Sequence, residues 1–157
     1  MKLTDIKKSI VLVCGKLCSG KGHFCATNYP DYHQLTVSSV VKSLAPVTGR
    51  SELSQTKALD QEIASALIAE INKHGKVIVD GIRQLSIIQR LQQEFGEQIE
   101  DVIWLEVPTD TLRARFDARR ASKDDMDFDS AIASDEQLGL SDVEKYVKAS
   151  GTVLNHH

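Results

Sequence analysis

The residues best suited to chemistry form a glycine-rich segment near the start of the chain, Gly15-Lys-Leu-Cys-Ser-Gly20-Lys21-Gly22. Glycines let a backbone wrap closely around an anion with its N–H groups pointing inward, and the start of a following helix adds positive dipole. Lys21 supplies a mobile positive charge for the β- and γ-phosphates of a nucleotide. An apolar run precedes the segment and a helical pattern follows it, which is the context that a phosphate-binding loop requires. The alternative is an ordinary glycine-rich turn that contains a lysine.

The same segment supplies the candidate phosphate-binding residues, and one of its positions departs from the usual pattern. We predict that phosphates are bound by Gly15, Cys18, Ser19, Gly20, Lys21, Gly22 and His23. Gly22 stands where a serine or threonine usually follows the lysine and binds Mg²⁺. Magnesium would therefore be held by phosphates, waters and a remote carboxylate. His23 either lies near the phosphates or is an exposed helix residue, and we favour the second interpretation.

A second polar group follows the apolar run Lys76–Asp80, in the sequence Asp80-Gly-Ile-Arg83. In open α/β sheets, ligands bind beyond the carboxyl ends of the strands. Asp80 is therefore predicted to face the phosphate loop and to hold a magnesium-bound water. Arg83 would direct its planar guanidinium at a second phosphate. Taken separately, Asp80 could be a turn-capping aspartate and Arg83 a surface charge.

Four arginines occur together in the helical pattern from Leu112 to Arg120. At 100° per residue, Arg115 and Arg119 lie beside the apolar stripe of that helix. Arginines that border the buried face can lean over the top of the sheet instead of into bulk water. The alternative is a solvated helix whose arginines pair with nearby acids, which is our interpretation of Arg113.

Alternating strands and helices must position these groups. Short β-rich runs are predicted at Ser9–Cys14, Tyr32–Val37, Lys76–Asp80, Asp101–Val107 and Thr152–Leu154. Helical stripes lie between them at Leu59–Ile71, Leu85–Phe95 and from Asp110, with a last helix before the fifth run. Capping boxes are predicted at Ser86/Gln89 and Ser141/Glu144. The alternation predicts a doubly wound α/β fold with a parallel sheet covered on both faces.

Composition limits the class of protein. The 157 residues, 41% hydrophobic and 26% charged, fit one globular domain over residues 1–157. A net charge of −3 argues against a nucleic-acid-coating protein, and no apolar run approaches the ~20 residues of a membrane span. Three cysteines without zinc-type spacing favour reduced thiols in the cytoplasm. We therefore expect small-molecule partners and neither nucleic acid nor membrane, and the oligomeric state stays open.

The Gly20-Lys21-Gly22 ending and the Asp80-Gly-Ile-Arg83 turn resemble the nucleoside monophosphate kinase family. Small relatives of the deoxynucleoside monophosphate kinase and adenylate-kinase-like type also share a late acidic segment like Asp135–Leu140. The resemblance implies a three-layer P-loop kinase fold with five parallel strands, helices on both faces, an acceptor-binding segment at about 36–75 and a short lid at about 120–135. It implies transfer of the γ-phosphoryl group of ATP, with Mg²⁺, to a nucleoside monophosphate, with a deoxynucleoside monophosphate favoured.

The resemblance also implies roles for particular residues. Transfer would depend on Lys21, Arg83, Arg115 and Arg119, and Arg115 would also contact ATP. The acceptor would be bound by Ser38, Lys42, Arg50, Arg83 and Gln84. Lys42 stands where adenylate kinases have an arginine, and Arg50 is the candidate to compensate. Gln84 and Gln89 both miss the spacing of the adenine-reading glutamine. Asp135 resembles a lid-hinge aspartate, although the acidic run 124–129 by itself is typical of a solvated loop.

Two other functions stay open at this point. The first is a P-loop kinase of another small metabolite that carries a phosphate or a hydroxyl, such as dephospho-coenzyme A. The second is a non-catalytic nucleotide-binding module, because Gly22, Lys42 and Ser134 all depart from the family pattern.

Overall fold

The structure is a computed structural model of the chain, and it describes residues 8–44, 60–120 and 128–155. Its strands are β1 (Ser9–Gly15), β2 (His33–Thr36), β3 (Lys76–Asp80), β4 (Ile99–Glu106) and β5 (Thr152–Asn155). They form one parallel sheet in the order β2-β3-β1-β4-β5. All five predicted runs are strands, and the predicted parallel arrangement is confirmed.

Seven α-helices occupy the described part of the chain. They are α1 (Lys21–Asn28), α2 (Val37–Leu44), α3 (Asp60–Ile71), α4 (Leu85–Phe95), α5 (Thr109–Arg120), α6 (Phe128–Leu138) and α7 (Leu140–Ser150), with a 3₁₀ turn at Gly96–Gln98. None of these helices is long and apolar enough to cross a membrane.

The central strand β1 is buried on both faces, as a middle strand of a parallel sheet must be. Its even-numbered residues, such as Ile10 and Leu12, share a large apolar cluster with side chains of α2, α3, α4 and α7. Val11 and Val13 face the other way and pack with Phe24 of α1. The alternation gives three layers, with helices covering each face of the sheet.

Trp104 marks the contact between β4 and β1. It is fully buried and lies in register opposite Cys14. Its indole Nε1 donates a hydrogen bond to Glu106 Oε2 at 2.6 Å. Lys148 of α7 lies 3.4 Å from the same carboxylate oxygen. Burial raises the pKa of the Cys14 thiol to about 12, so this cysteine packs as a neutral apolar group.

The two predicted capping boxes are wrong, because each serine lies inside the first turn of its helix. Helix α4 begins at Leu85, before Ser86, and the Ser86 hydroxyl donates to Asp60 Oδ2 of α3. Gly139, with φ 107°, leads the chain directly into α7. The Ser141 hydroxyl donates to Glu136 instead of capping the backbone. Both hydroxyls have found carboxylate partners, which form stronger hydrogen bonds than neutral acceptors.

Helix α6 was not predicted. Its residues fall in the acidic segment and in the predicted lid at 120–135, of which residues 121–127 lie outside the described chain. Phe128 is buried, and its ring meets that of Phe116 edge-on at 5.6 Å between centroids. Ala131 and Ile132 pack against the same cluster. The apolar stripe that forms this helix is hidden in sequence by the aspartates around it.

Candidate functional site

A tight loop joins β1 to α1. The Ser19 amide donates to the Lys16 carbonyl at 3.1 Å, which closes a turn. Cys18 is the third residue of this four-residue turn. Its φ of 64° is left-handed, as a type II turn requires at that position. Gly20 is also left-handed, with φ 85°, and its carbonyl accepts the first helical hydrogen bond of α1. The strand, loop and helix therefore follow one another as predicted.

Close packing explains why glycine begins this loop. A Cβ placed on Gly15 would lie 2.6 Å from Ser19 Oγ and 3.3 Å from the Leu105 carbonyl oxygen. The Ser19 side chain is fully buried, and its hydroxyl has no hydrogen-bond partner in the described structure. Gly15 and Ser19 thus form the base of the loop.

Lys21 folds back over the loop. Its Nζ donates to the Lys16 carbonyl at 3.2 Å and lies 3.4 Å from the Gly15 carbonyl. Burial lowers the pKa of Lys21, while the negative charge of Asp80 opposes that shift. The ammonium group therefore lies at the mouth of the loop, where a phosphate chain would meet it.

A cavity of about 460 Å³ opens beside the loop. It is lined by Leu17, Cys18, Gly20, Lys21, Gly22, His23, Thr36, Ser38, Asp80, Gly81 and Arg83. The cavity thus joins the phosphate loop to the carboxyl ends of β2 and β3, which is where ligands bind in folds of this type. His23 lines it and is exposed on α1.

Asp80 ends β3 in register with Val13 and is buried at the cavity wall. Gln34 Nε2 donates to its Oδ2 at 3.3 Å. Burial raises the pKa of Asp80, and Lys21, the Gln34 hydrogen bond and Arg83 each oppose that shift. Gly81, with φ 92°, then turns the chain towards Arg83.

Arg83 is paired with a residue that no local sequence pattern connects with it. Its Nε lies 2.9 Å from Oδ1 of Asp135, a buried carboxylate on α6. Burial raises the pKa of Asp135, and the positive charges of Arg83 and Lys21 oppose that shift. The site therefore holds two cations and two carboxylates, whose formal charges cancel.

The side chains of the site decide how a magnesium ion could bind there. Asp80 offers carboxylate oxygens, the ligand type that Mg²⁺ prefers. In the described chain, no group of three or more His, Cys, Asp or Glu side chains could hold a metal ion. The residues therefore fit a magnesium ion that arrives with phosphates and touches the protein through Asp80 and water.

Arg115 contacts the loop from outside the cavity. Its Nη1 donates to the Cys18 carbonyl at 3.1 Å, and it is not one of the residues that line the cavity. The Cys18 side chain is buried in an apolar cluster that includes Leu112 and Phe116 of α5. Helix α5 thus fixes the left-handed residue of the loop through both a hydrogen bond and packing.

The predicted acceptor residues divide into three groups. Ser38 and Arg83 line the cavity. Gln84 is buried directly before α4 and is not among the residues that line the cavity. The Lys42 side chain and the whole of Arg50 lie outside the described structure. The same is true of the side chain of Arg119, which was predicted for the transfer step and not for acceptor binding.

The class of protein follows from this arrangement. A five-stranded parallel sheet covered on both sides, with a phosphate loop between β1 and α1, is the P-loop kinase fold. Residues 11–139 match the family model described as an AAA domain, so the chain belongs to that family. No curated protein matches this chain in sequence.

Solved structures share the fold at low sequence identity. Shikimate kinase from Bacteroides thetaiotaomicron is similar with a TM-score of 0.64 and 14% identity, over 94% of this chain and 86% of the other. A gluconokinase from Sinorhizobium meliloti 1021 gives a TM-score of 0.62 and 14% identity, over 96% and 83%. TT1252 from Thermus thermophilus gives 0.53 and 15%, over 96% and 89%.

Proposed function

We propose that this protein transfers the γ-phosphoryl group of Mg·ATP to a nucleoside monophosphate, with deoxynucleoside monophosphates preferred, to give the diphosphate. The observation that carries the proposal is that Lys21 of the phosphate loop and Arg83 line one cavity together. Two anion-binding groups in one cavity suit a donor phosphate chain and a second, phosphate-bearing substrate.

The donor phosphates would bind over the loop. Lys21 would leave the Gly15 and Lys16 carbonyls and contact the β- and γ-phosphates, while the amides at the start of α1 bind the remaining charge. The two cations and two carboxylates of the site cancel in formal charge, so they leave the phosphates of ATP without net compensation. Magnesium bound with ATP would neutralise part of that phosphate charge. Asp80 would orient that ion through a water molecule.

The acceptor would bind at Arg83 in the same cavity. The Arg83 guanidinium can bind a phosphate with two parallel hydrogen bonds, which fixes the orientation of the acceptor. Thr36 and Ser38 line the cavity nearby and offer hydroxyl groups. Transfer would be in-line between two bound phosphates, so the protein would act by positioning and by stabilising charge.

A panel of nucleotides tests the proposal. The protein would be incubated with ATP, Mg²⁺ and each ribo- and deoxynucleoside monophosphate, and the diphosphates would be separated and quantified. Diphosphate formation from at least one monophosphate is expected. A folded preparation that binds ATP but transfers phosphate to none of them would overturn the proposal and indicate a binding module.

Arg83→Ala identifies the acceptor site. The variant should raise the acceptor KM by about 10- to 100-fold, because a charged hydrogen-bond donor to phosphate is lost, and leave the ATP KM nearly constant. Arg90→Ala is the matched control, since Arg90 lies on α4 and pairs with Glu94 at 3.2 Å. An ATP KM that rises as much as the acceptor KM would place Arg83 on the donor side instead.

A second candidate is a kinase of another small metabolite. It is favoured by the likeness of the fold to structures titled shikimate kinase and gluconokinase. Shikimate, gluconate and dephospho-coenzyme A therefore belong in the same panel. Turnover of one of these, with no turnover of any monophosphate, would favour this candidate over the first.

A further inference from the structure

We propose that Asp135 is a positioning residue that holds the Arg83 guanidinium in the orientation needed to bind the phosphate of the acceptor. The inference rests on the proposed function of the cavity. It assigns a role to a buried carboxylate that the transfer reaction itself does not use.

The geometry of the pair is suited to this role. Asp135 Oδ1 lies 2.9 Å from Arg83 Nε, the nitrogen at the inner end of the guanidinium. Arg83 lines the cavity and Asp135 does not. The carboxylate would therefore hold the guanidinium by its Nε, which leaves the two distal nitrogens for a ligand in the cavity. Because the guanidinium is planar, one contact at Nε limits the plane in which all its N–H groups lie.

Burial distinguishes this pair from an ordinary surface ion pair. The Asp135 side chain is 10% exposed and that of Arg83 is 34% exposed. A carboxylate this deeply buried would be costly without a cationic partner, so the two side chains stay together in the ligand-free protein. The turn at Gly81 carries Arg83 without help from a helix or strand, so a restraint from elsewhere is needed.

Helix α6 supplies a firm base for that restraint. Its first residue, Phe128, is buried against Phe116 of α5. The same apolar cluster includes Cys18 of the phosphate loop. Helix α6 is therefore anchored to the body of the protein at its first residue, Phe128. Asp135, near the other end of the helix, contacts Arg83. An acceptor would meet an arginine that is already ordered, which lowers the entropic cost of binding.

Asp135→Asn tests the role with little change in shape. We expect the acceptor KM to rise about tenfold, because the restraint on Arg83 weakens, while the ATP KM changes by less than about twofold. Asp129→Asn is the matched control on the same helix. Asp129 is exposed and pairs with Arg113 at 3.0 Å, so its variant should leave both KM values unchanged.

A second substitution separates the positioning of Arg83 from a general effect of losing the buried carboxylate charge. Arg83→Lys keeps the positive charge but has no planar guanidinium to orient. Adding Asp135→Asn to Arg83→Lys should therefore raise the acceptor KM by less than about twofold, since residues that act as a unit are not additive. Thermal melting of each variant reports whether it is folded.

The outcomes separate the two proposals. A lower acceptor KM in Asp135→Asn would overturn the positioning role and show that Asp135 competes with the acceptor for Arg83. Equal rises in both KM values, or full additivity with Arg83→Lys, would show a structural role only. If the wild-type protein neither binds nor phosphorylates any monophosphate, by calorimetry and by the nucleotide panel, the proposed function fails and the positioning role fails with it.

Discussion

The two cationic parts of the site are built in different ways. The phosphate loop from Gly15 to Lys21, which is the donor half under the proposed function, is a continuous stretch of backbone whose shape comes from two left-handed residues and a close contact at Gly15. Arg83 with Asp135, the acceptor half under the same proposal, is made by side chains from a turn and a helix that are far apart in the sequence.

The difference predicts how each half responds to substitution. A site built of backbone amides tolerates most side-chain changes, provided the left-handed positions and Lys21 are kept. A site built of two paired side chains is sensitive to either one, because the loss of one partner leaves the other buried and unpaired.

The largest effect is expected for Lys21→Met, which removes the charge from the donor half and keeps the side-chain volume. The kcat should fall by about 100- to 1,000-fold, as when one preorganised charge-stabilising group is lost. Steady-state kinetics with saturating acceptor measure it. Lys73→Met is the control, because Lys73 is exposed and pairs with Glu70 at 2.8 Å. A kcat within about threefold of wild type would show that Lys21 does not contribute to the transfer step.

The pH range over which the protein is active should be limited at both its acid and its alkaline ends. Burial raises the pKa of Asp80, so this carboxylate takes up a proton at a higher pH than an exposed aspartate and activity is lost early as the pH falls. Burial lowers the pKa of Lys21, so activity is lost early as the pH rises. A profile of kcat/KM against pH shows both limbs. Asp80→Asn should be less active and lack the acid limb; an acid limb that persists in this variant assigns it to another group.

Arg115→Ala tests whether the donor half depends on its outer support. The Cys18 carbonyl would lose a charged donor, so the loop should be less well ordered and kcat/KM for ATP should fall about tenfold. Arg113→Ala is the control, since Arg113 pairs with the exposed Asp129. Equal effects of the two substitutions on kcat/KM for ATP would show that the contact of Arg115 with Cys18 does not contribute to the use of ATP.

The smallest effect is expected for Ser19→Ala. The buried hydroxyl of Ser19 has no partner in the described structure, so its removal should stabilise the protein by up to ~1 kcal/mol. For a chain of this size the Tm would rise by about 2–4 °C. Differential scanning calorimetry measures it. A lower Tm would mean that the hydroxyl makes a stabilising hydrogen bond in solution, for example to water.

The same contrast explains what the sequence could predict. The donor half and the five strands were predictable because they are coded by neighbouring residues: an apolar run, glycines at fixed positions and a helix start. The pairing of Arg83 with Asp135 depends on how α6 packs against α5, and no local pattern records that. Gln84 illustrates the same limit, since only the position of α4 shows that this side chain is buried beside the cavity instead of within it.

Trp104 has a practical consequence. It is the only tryptophan in the chain, so the intrinsic fluorescence excited at the red edge of its absorption comes from one buried indole. That indole lies opposite Cys14, next to the residue that begins the phosphate loop, and donates to Glu106 at the same edge of the sheet. We expect nucleotide bound over the phosphate loop to change the electric field at this position. The emission of the unlabelled protein thus offers a spectroscopic titration of ligand binding that is independent of turnover.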